Sequence, residues 1–348
     1  MSHITSGTGH SPTQLAWQRF KQNRPGYYSL WVFSFLLIFA LFAEFIANDK
    51  PLLIHYDDSF YVPVFKSYPE TTFGGDFLTE ADYSDPYVQS LIEENGWAIW
   101  PLLRFNDNTI NYYHSKPSPA APDSQHWLGT DNQARDVLAR NIYGFRISVL
   151  FGFALTALTL VIGTILGAIQ GYFGGKIDLF LQRFIEIWSS MPVLFILIIL
   201  SNFISPNFWW LLLIMLLFSW TGIVDLVRAE FLRGRNMDYI KAAQAMAVPT
   251  SHILFKHLLP NAMVASLTFL PFMLTGAIGT LTTLDFLGFG LPPGTASLGE
   301  LLAQGKENLH APWLTLTAFI TLTVLLSLLV FIGSALRDAF DTRVQHAK

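Results

Sequence analysis

The chain alternates between long apolar stretches and short charged ones. Five stretches contain no Asp, Glu, Lys or Arg, and they cover residues 27–43, 147–175, 187–224, 258–284 and 308–336. A bilayer core about 30 Å thick needs about 20 apolar residues in a helix. The stretch at 187–224 is too long for one span, and the polar residues Asn202, Ser205 and Asn207 with Pro206 interrupt it, so it predicts a helical hairpin. Six transmembrane helices are therefore predicted.

Composition supports a membrane protein. Only 13% of the 348 residues are charged, whereas soluble proteins average about 25%. The net charge of −4 argues against a nucleic-acid binder, which needs Lys and Arg to neutralise phosphates. The absence of cysteine excludes disulfides, thiol nucleophiles and Cys-ligated metal sites.

The distribution of basic residues predicts the orientation of the spans. Arg19, Lys21 and Arg24 precede the first span without an acid, which places the N-terminus in the cytoplasm by the positive-inside rule. Six spans return the C-terminus to the same side, and the short outer loops then hold only Lys306. A signal peptide is the alternative for the first stretch, but it lacks an Ala-x-Ala cleavage pattern.

Residues 48–141 form a long insert between the first two spans, which is predicted to be a small, irregular subdomain on the outer face. The insert holds 14 acids against 6 bases, a net charge of −8, and its frequent prolines exclude long helices. Trp97, Trp100, Tyr112 and Tyr113 are available for a small core. Two interpretations remain open: a solvated cap on the spans, or a docking surface for an extracytoplasmic partner.

Four glycines repeat every fourth residue in the second span, at Gly163, Gly167, Gly171 and Gly175. This spacing puts them on one helix face, where the missing side chains allow another backbone to approach closely. The pattern predicts tight helix packing. The neighbour could belong to this chain or to another, and a neighbour in this chain is favoured.

Ionisable residues are scarce in the spans and stand near their ends. Asp225 with Arg228, and Arg183 with Glu186, are three residues apart and predict ion pairs at the membrane interface. A secondary carrier or channel, the competing class, usually places charges deep in the membrane. A membrane enzyme is disfavoured because the sequence lacks a phosphate-binding loop, paired metal-ligating histidines and a Gly-x-Ser-x-Gly elbow.

The largest loop predicted to be cytoplasmic covers residues 228–261. An amphipathic stretch at 238–246 and a second stretch at 250–259 predict two short helices joined by a bend. Alanines keep the first helix slim, and mostly basic residues surround it. Such a helix suits insertion into a groove on a soluble partner. The alternative is a helix that rests on lipid headgroups.

This loop resembles a known motif. Lys241-Ala242-Ala243, Ala247 and His257-Leu258-Leu259-Pro260-Asn261 resemble the EAA loop of permease subunits in binding-protein-dependent ABC importers. Two positions depart from the motif: Lys241 replaces the usual Glu, and Ala247 replaces the usual Gly. The bend must then form without glycine, and Pro249 is the candidate to supply it.

Other segments extend the resemblance over residues 120–340. His126-Trp127-Leu128-Gly129-Thr130-Asp131 with Arg135-Asp136-Val137-Leu138-Ala139-Arg140, and Phe286-Leu287-Gly288-Phe289-Gly290, are similar to segments of the oligopeptide/dipeptide group. The acidic insert and the runs at 46–53 and 240–246 resemble the Yej-type permeases of peptide and microcin C importers.

The resemblance implies an all-α type I ABC importer permease fold in the bacterial inner membrane. The implied partners are a second homologous permease in a heterodimer, two cytoplasmic ATPase domains that bind the ATP, a periplasmic solute-binding protein and the lipid bilayer. The implied cargo is a peptide or peptide-like compound, and no catalytic residue, cofactor, metal or nucleic acid is expected. Contact with an ATPase is assigned to Lys241, Ala242, Ala243, Ala247, His257, Leu259 and Pro260, with Ala243 seated in a groove of the ATPase.

The predicted domains follow from these observations. They are a cytoplasmic N-terminal segment (1–27), a first transmembrane helix (28–47), a periplasmic insert (48–141), a five-helix transmembrane core (142–336) and a cytoplasmic tail (337–348). The core includes the cytoplasmic coupling loop 228–261 and a periplasmic loop 285–312.

Overall fold

The computed structural model describes residues 12–112, 116–201, 203–204 and 207–340. The chain divides into two compact units. The first comprises Met1–Ser34, Leu150–Thr280 and Val324–Lys348, and the second comprises Phe35–Val149 and Leu281–Thr323.

Helices make up most of the first unit, and the second unit combines helices with irregular segments and a small sheet. They are α1 (Pro12–Gln22), α2 (Arg24–Leu41), α3 (Ala43–Ile46), α4 (Pro86–Asn95), α5 (Val137–Phe173), α6 (Gly175–Ser189), α7 (Val193–Ser201), α8 (Phe208–Ser219), α9 (Thr221–Arg235), α10 (Asp238–Ala245), α11 (Thr250–His252), α12 (Leu259–Phe286), α13 (Leu298–Glu307) and α14 (Pro312–Phe340). A 3-10 turn covers Glu70–Phe73, and a π-helical turn covers Ile253–Leu258.

Six helical segments match the predicted number of spans. The helices α2, α5 and α14 and the continuous helix Thr250–Phe286 are each long and apolar enough to cross a membrane, by length and composition. Two further candidates are bent pairs: α6 with α7 at 62°, and α8 with α9 at 42°. Counting each pair as one span gives six, and the prediction of an all-α membrane protein is confirmed.

The predicted hairpin has longer arms than its uncharged residues suggest. It breaks between α7 and α8, and Asn207 caps α8 by accepting a hydrogen bond from the Trp210 backbone N–H at 2.9 Å. Because α7 has only 9 residues and α8 only 12, neither can span a bilayer alone. The charged neighbours α6 and α9 complete the arms. Asn202, Ser205 and Pro206 lie outside the described residues.

The insert, in the second unit, contains a small antiparallel sheet where the sequence predicted an irregular subdomain. Its strands are β1 (Leu53–Tyr56), β2 (Ser59–Tyr61) and β3 (Gly96–Ile99), in the order β2-β1-β3. The residues that pack beneath the sheet form a small core of Ile54, Phe73, Ala81, Tyr83, Val88 and Ile92.

The aromatic residues predicted to form that core differ in their exposure to solvent. Trp100 packs against it, but Trp97 is 46% exposed and Tyr112 is 82% exposed, so the prediction was wrong for these two. Alternation along β3 turns Ala98 inward and Trp97 outward, where Trp97 stacks on His55 of β1 at 5.6 Å between ring centroids. Tyr113 lies outside the described residues.

Candidate functional site

The residues that resemble the EAA loop lie in the first unit, on α10 and on the start of the helix that follows. The predicted second short helix is not separate, because α11 continues through the π-helical turn into α12 as one helix, Thr250–Phe286. A displacement of this end of the helix is therefore a displacement of a membrane span.

The bend after α10 lies at Ala247. This alanine adopts a left-handed backbone conformation with φ of 53°. Its N–H donates to the Gln244 carbonyl at 3.0 Å, and the Val248 N–H donates to the Ala243 carbonyl at 3.1 Å. This is the Schellman arrangement, which usually has glycine at that position. The expectation that Pro249 supplies the bend was wrong: a residue with a Cβ adopts the glycine conformation, at a cost of about 1–2 kcal/mol.

One face of α10 packs into the chain itself. Ile240 and Ala243 are buried in an apolar cluster with Phe231 of α9, Ile253 and Leu258. Ala243 is only 7% exposed. The expectation that Ala243 sits in a groove of an ATPase is therefore corrected, because its own chain already covers this side chain.

The opposite face of α10 is open. Lys241, Ala242 and Ala245 are exposed, and Met246 at the end of the helix is 72% exposed. Phe255 on the π-helical turn is 70% exposed. Large apolar side chains with this much exposure are typical of a surface that binds protein or membrane.

The remaining residues assigned to the loop differ in accessibility. Ala247 and Pro260 are exposed, whereas His257 is half-buried. Leu259 is also half-buried and packs against the apolar cluster. The structure thus leaves Lys241, Ala242, Ala247 and Pro260 accessible to a partner and leaves Ala243 inaccessible.

Three of the four repeated glycines lie where α5 meets α9. A Cβ on Gly163 would collide with the Ile223 side chain, and one on Gly167 would lie 2.7 Å from the Val224 carbonyl oxygen. A Cβ on Gly171 would lie 2.5 Å from the Phe231 Cβ. Because even a methyl group does not fit, the two backbones approach closely here, and the neighbouring helix belongs to the same chain.

Gly175 does not belong to this contact. The helix α5 ends at Phe173, and Gly175 opens α6 with φ of 55°. A Cβ on Gly175 would meet no atom within 4 Å. The prediction of a packing role for Gly175 was wrong, because the chain turns between the two helices. Residues four apart share a face only within one continuous helix, and Gly175 lies beyond the end of α5.

An ion pair fastens α6 to α9. Arg228 donates to both carboxylate oxygens of Asp178, from Nε at 2.5 Å and from Nη2 at 2.8 Å. The prediction that Arg228 pairs with Asp225 was wrong, because Arg228 pairs with Asp178 instead. The predicted pair of Arg183 with Glu186 is confirmed, at 2.6 Å. Contacts between helices 50 residues apart leave no local signal in a sequence.

The second unit holds a buried ion network that sequence reasoning missed. Arg135 pairs with Asp131 at 2.6 Å, and Arg140 pairs with Glu300 of α13 at 2.7 Å. Arg140 also lies 3.5 Å from Asp131. Both arginines and Asp131 are buried. The i,i+4 spacing of Asp131 and Arg135 was the available signal, but Glu300 is 160 residues from Arg140.

A second buried pair lies in the same segment. The imidazole Nδ1 of His126 lies 2.8 Å from an Asp136 carboxylate oxygen, and both side chains are fully buried. The residues quoted from 126–140 for their family resemblance thus include the ion pairs that connect the start of α5 to α13.

Comparison with known proteins agrees with this architecture. A family model described as the inner membrane component of binding-protein-dependent transport systems matches residues 163–346. A model described as the N-terminal TM domain of oligopeptide transport permease C matches residues 11–63.

Individual relatives cover nearly the whole chain. This chain is 58% identical to the inner membrane ABC transporter permease protein YejE of Escherichia coli, over 94% of its own length and 96% of the relative. It is 56% identical to the peptidoglycan transport system permease protein YejE of Agrobacterium fabrum, over 95% and 93%. The oligopeptide transport system permease protein OppC of Lactococcus lactis is 37% identical over 63% of this chain and 76% of the relative.

The family model covers the glycine contact, the ion pair of Arg228 and the loop with its exposed helix face, and the relatives add the insert and the first span. The chain belongs to the family of binding-protein-dependent transport system inner membrane components, as a permease subunit of an ABC transporter.

Proposed function

We propose that this chain is one of two homologous permeases in an importer of peptides or peptide-like compounds, and that the exposed face of α10 binds an ATPase subunit. The observation that supports this role is the two-sided burial of α10. Its inner face is anchored by Ile240 and Ala243, while Ala242, Ala245 and Met246 stay exposed. Such a helix can bind a partner through its exposed face while its buried face stays packed against its own chain.

Because α10 packs against other helices of the chain, a movement of α10 can be transmitted to the membrane spans. The apolar cluster beneath α10 joins Val227 and Phe231 of α9 to Ile253 and Leu258, which continue into α12. An ATPase that binds one arrangement of α10 more tightly in one nucleotide state shifts the permease toward that arrangement. In this proposal ATP binds to the partner subunits, and this chain has no catalytic residue or cofactor.

The proposed orientation places α10 in the cytoplasm, with both chain ends. The support is the charge distribution, since Arg19, Lys21 and Arg24 flank the first span on that side. The acidic insert then lies in the periplasm. Its exposed outer sheet face, with Phe60, Trp97 and Ile99, is available to a solute-binding protein.

A peptide cargo is supported by the relatives. The match of residues 11–63 is to an oligopeptide transport permease model, and two of the relatives are named for the transport of peptidoglycan and of oligopeptides. Peptide antibiotics of the microcin C type fall within the same proposed class, because they share a peptide backbone with such cargo.

Purification tests the proposal. The full chain, expressed with its partner permease, ATPases and solute-binding protein, is expected to retain ATPase subunits in detergent. After reconstitution, peptide with its binding protein should stimulate ATP hydrolysis. Transport that persists without any ATPase subunit would contradict the proposal and favour a secondary carrier. Stimulation by a non-peptide solute alone would overturn the cargo assignment.

A further inference from the structure

An apolar groove with a volume of about 380 Å³ lies within the first unit. Its walls include Trp17 of α1, Phe33 of α2, Phe153 of α5, Leu274 of α12 and Leu336 of α14. The volume falls in the range of sites that bind small molecules, about 300–1,000 Å³. Such a groove can hold a hydrocarbon chain.

The helix α1 borders this groove as an amphipathic element. Its residues Ala16 and Phe20 are buried, and Phe20 packs against Ala335 and Ala339 of α14. Trp17 stacks on Phe20 at 5.5 Å between ring centroids, yet remains half exposed. Amphipathic helices with a tryptophan and basic residues lie at the boundary between headgroups and acyl chains.

The basic side chain of Lys21 lies beside a wall of the groove, and other basic residues stand close to groove-lining residues in the sequence. The Lys21 ammonium lies 5.4 Å from the ring centroid of Trp17, which lines the groove. Arg19 and Arg24 flank it in sequence, and no acid occurs in residues 12–24. On α14, Arg337 is followed by Asp338, which accepts a hydrogen bond from the Asn23 amide at 3.3 Å. Four bases thus stand against one acid in these two segments.

We propose that the groove binds an anionic phospholipid, with an acyl chain against the apolar wall and the phosphate beside Lys21, Arg19 and Arg24. A cationic rim on an apolar groove complements an amphiphile with an anionic head, and basic clusters next to membrane helices attract such lipids. A transmembrane helix of a partner protein would use the apolar wall but would have no use for the rim. The site is separate from the transport function proposed above.

Native mass spectrometry of the complete transporter complex tests the proposal. The probes are phosphatidylglycerol and phosphatidylcholine with identical acyl chains, added to the delipidated complex. Because Lys21 and Arg19 should each contribute about fivefold, phosphatidylglycerol is expected to be retained about 25-fold or more over phosphatidylcholine. Lys21→Gln and Arg19→Gln should each reduce that preference about fivefold, whereas the control Lys176→Gln, an exposed base on α6, should leave it unchanged.

Two results would overturn the proposal. Equal retention of the two lipids by the unmodified complex would show that the rim does not select an anionic head. Retention of neither lipid, together with cross-linking of Leu30→Cys to the partner permease, would show that a helix covers the groove. Both readouts are independent of ATP hydrolysis and transport, so the proposed import function stands or falls separately.

Discussion

The two compact units stabilise their helix contacts by opposite means. In the first unit, α5 meets α9 through glycines, and a methyl group on Gly167 would already collide with the neighbouring backbone. In the second unit, the start of α5 is joined to α13 by a buried network of Asp131, Arg135, Arg140 and Glu300. One contact depends on the absence of side chains, and the other depends on charged side chains that satisfy one another.

The two contacts differ because one is held by close packing of small residues and the other by buried ion pairs. Helices surrounded by lipid gain no hydrophobic driving force from meeting, so close packing of small residues holds them together. A buried ion network tolerates no missing partner, because removal of one charge leaves the others unpaired. The glycine contact should therefore fail when atoms are added, and the ion network should fail when a charge is removed.

The largest effect is expected from Asp131→Asn. This substitution keeps the shape of the side chain but leaves Arg135 and Arg140 to share Glu300 as their ion-pair partner, and breaking a buried pair costs about 3–5 kcal/mol. Thermal unfolding of the purified subunit measures the loss. The control is Glu80→Gln in the same unit, which removes the exposed partner of Lys50 and should cost no more than about 1 kcal/mol. Equal losses in the two variants would contradict the role given to the network.

Gly167→Leu should destabilise the first unit by about 3 kcal/mol, the upper end of typical overpacking costs. The new Cβ meets the Val224 carbonyl and the Val227 side chain, and neither helix can retreat without breaking the contact. The matched control is Gly276→Leu on α12, where a Cβ meets no atom within 4 Å. If both variants unfold at the temperature of the parent, α5 and α9 are not in the close contact described.

Arg228→Lys should cost about 1.5 kcal/mol, because an ammonium cannot donate to both oxygens of Asp178 as the guanidinium does. Denaturant titration with circular dichroism provides the measurement. Arg183→Lys serves as the control, since its pair with Glu186 is largely exposed and should contribute less than about 1 kcal/mol. An equal loss of stability in both variants would contradict the expectation that the pair of Arg228 contributes more than the pair of Arg183.

The smallest effect is expected at the bend. Ala247→Gly should stabilise the loop by about 1 kcal/mol, since glycine adopts the left-handed conformation without the Cβ penalty. Ala242→Gly, inside α10, should have the opposite sign and cost about 1 kcal/mol. Hydrogen exchange of the α10 amides compares the two variants with the parent. A destabilising Ala247→Gly would mean that this bend is not strained.

Much of the fold was predictable because it depends on local composition. The apolar stretches predicted the spans, and the residues at 202–207 marked the break between α7 and α8. Predictions failed where a contact joined distant residues. The sequence does not show that Arg228 meets Asp178, nor that Glu300 reaches Arg140.

The candidate loop was predictable in position but not in orientation. The motif resemblance located α10, and the amphipathic pattern indicated that one face is buried. Which partner buries that face was wrongly inferred for Ala243, because the apolar residues that cover it come from α9 and from residues 253 and 258. A left-handed alanine at Ala247 was also unforeseen, since its backbone conformation depends on the hydrogen bonds that close α10.

One substitution on the outer face of α10 tests whether that face binds an ATPase. Ala242→Asp places a charge on an exposed side chain, so the stability of the subunit should change by less than about 0.5 kcal/mol. Gln244→Asp adds an acid to the exposed flank of the same helix and is the control. We predict that Ala242→Asp loses peptide-stimulated ATP hydrolysis and retained ATPase subunits, while Gln244→Asp keeps most of both. Values equal to the parent for Ala242→Asp, in a correctly inserted subunit, would contradict the claim and indicate a helix that rests on lipid.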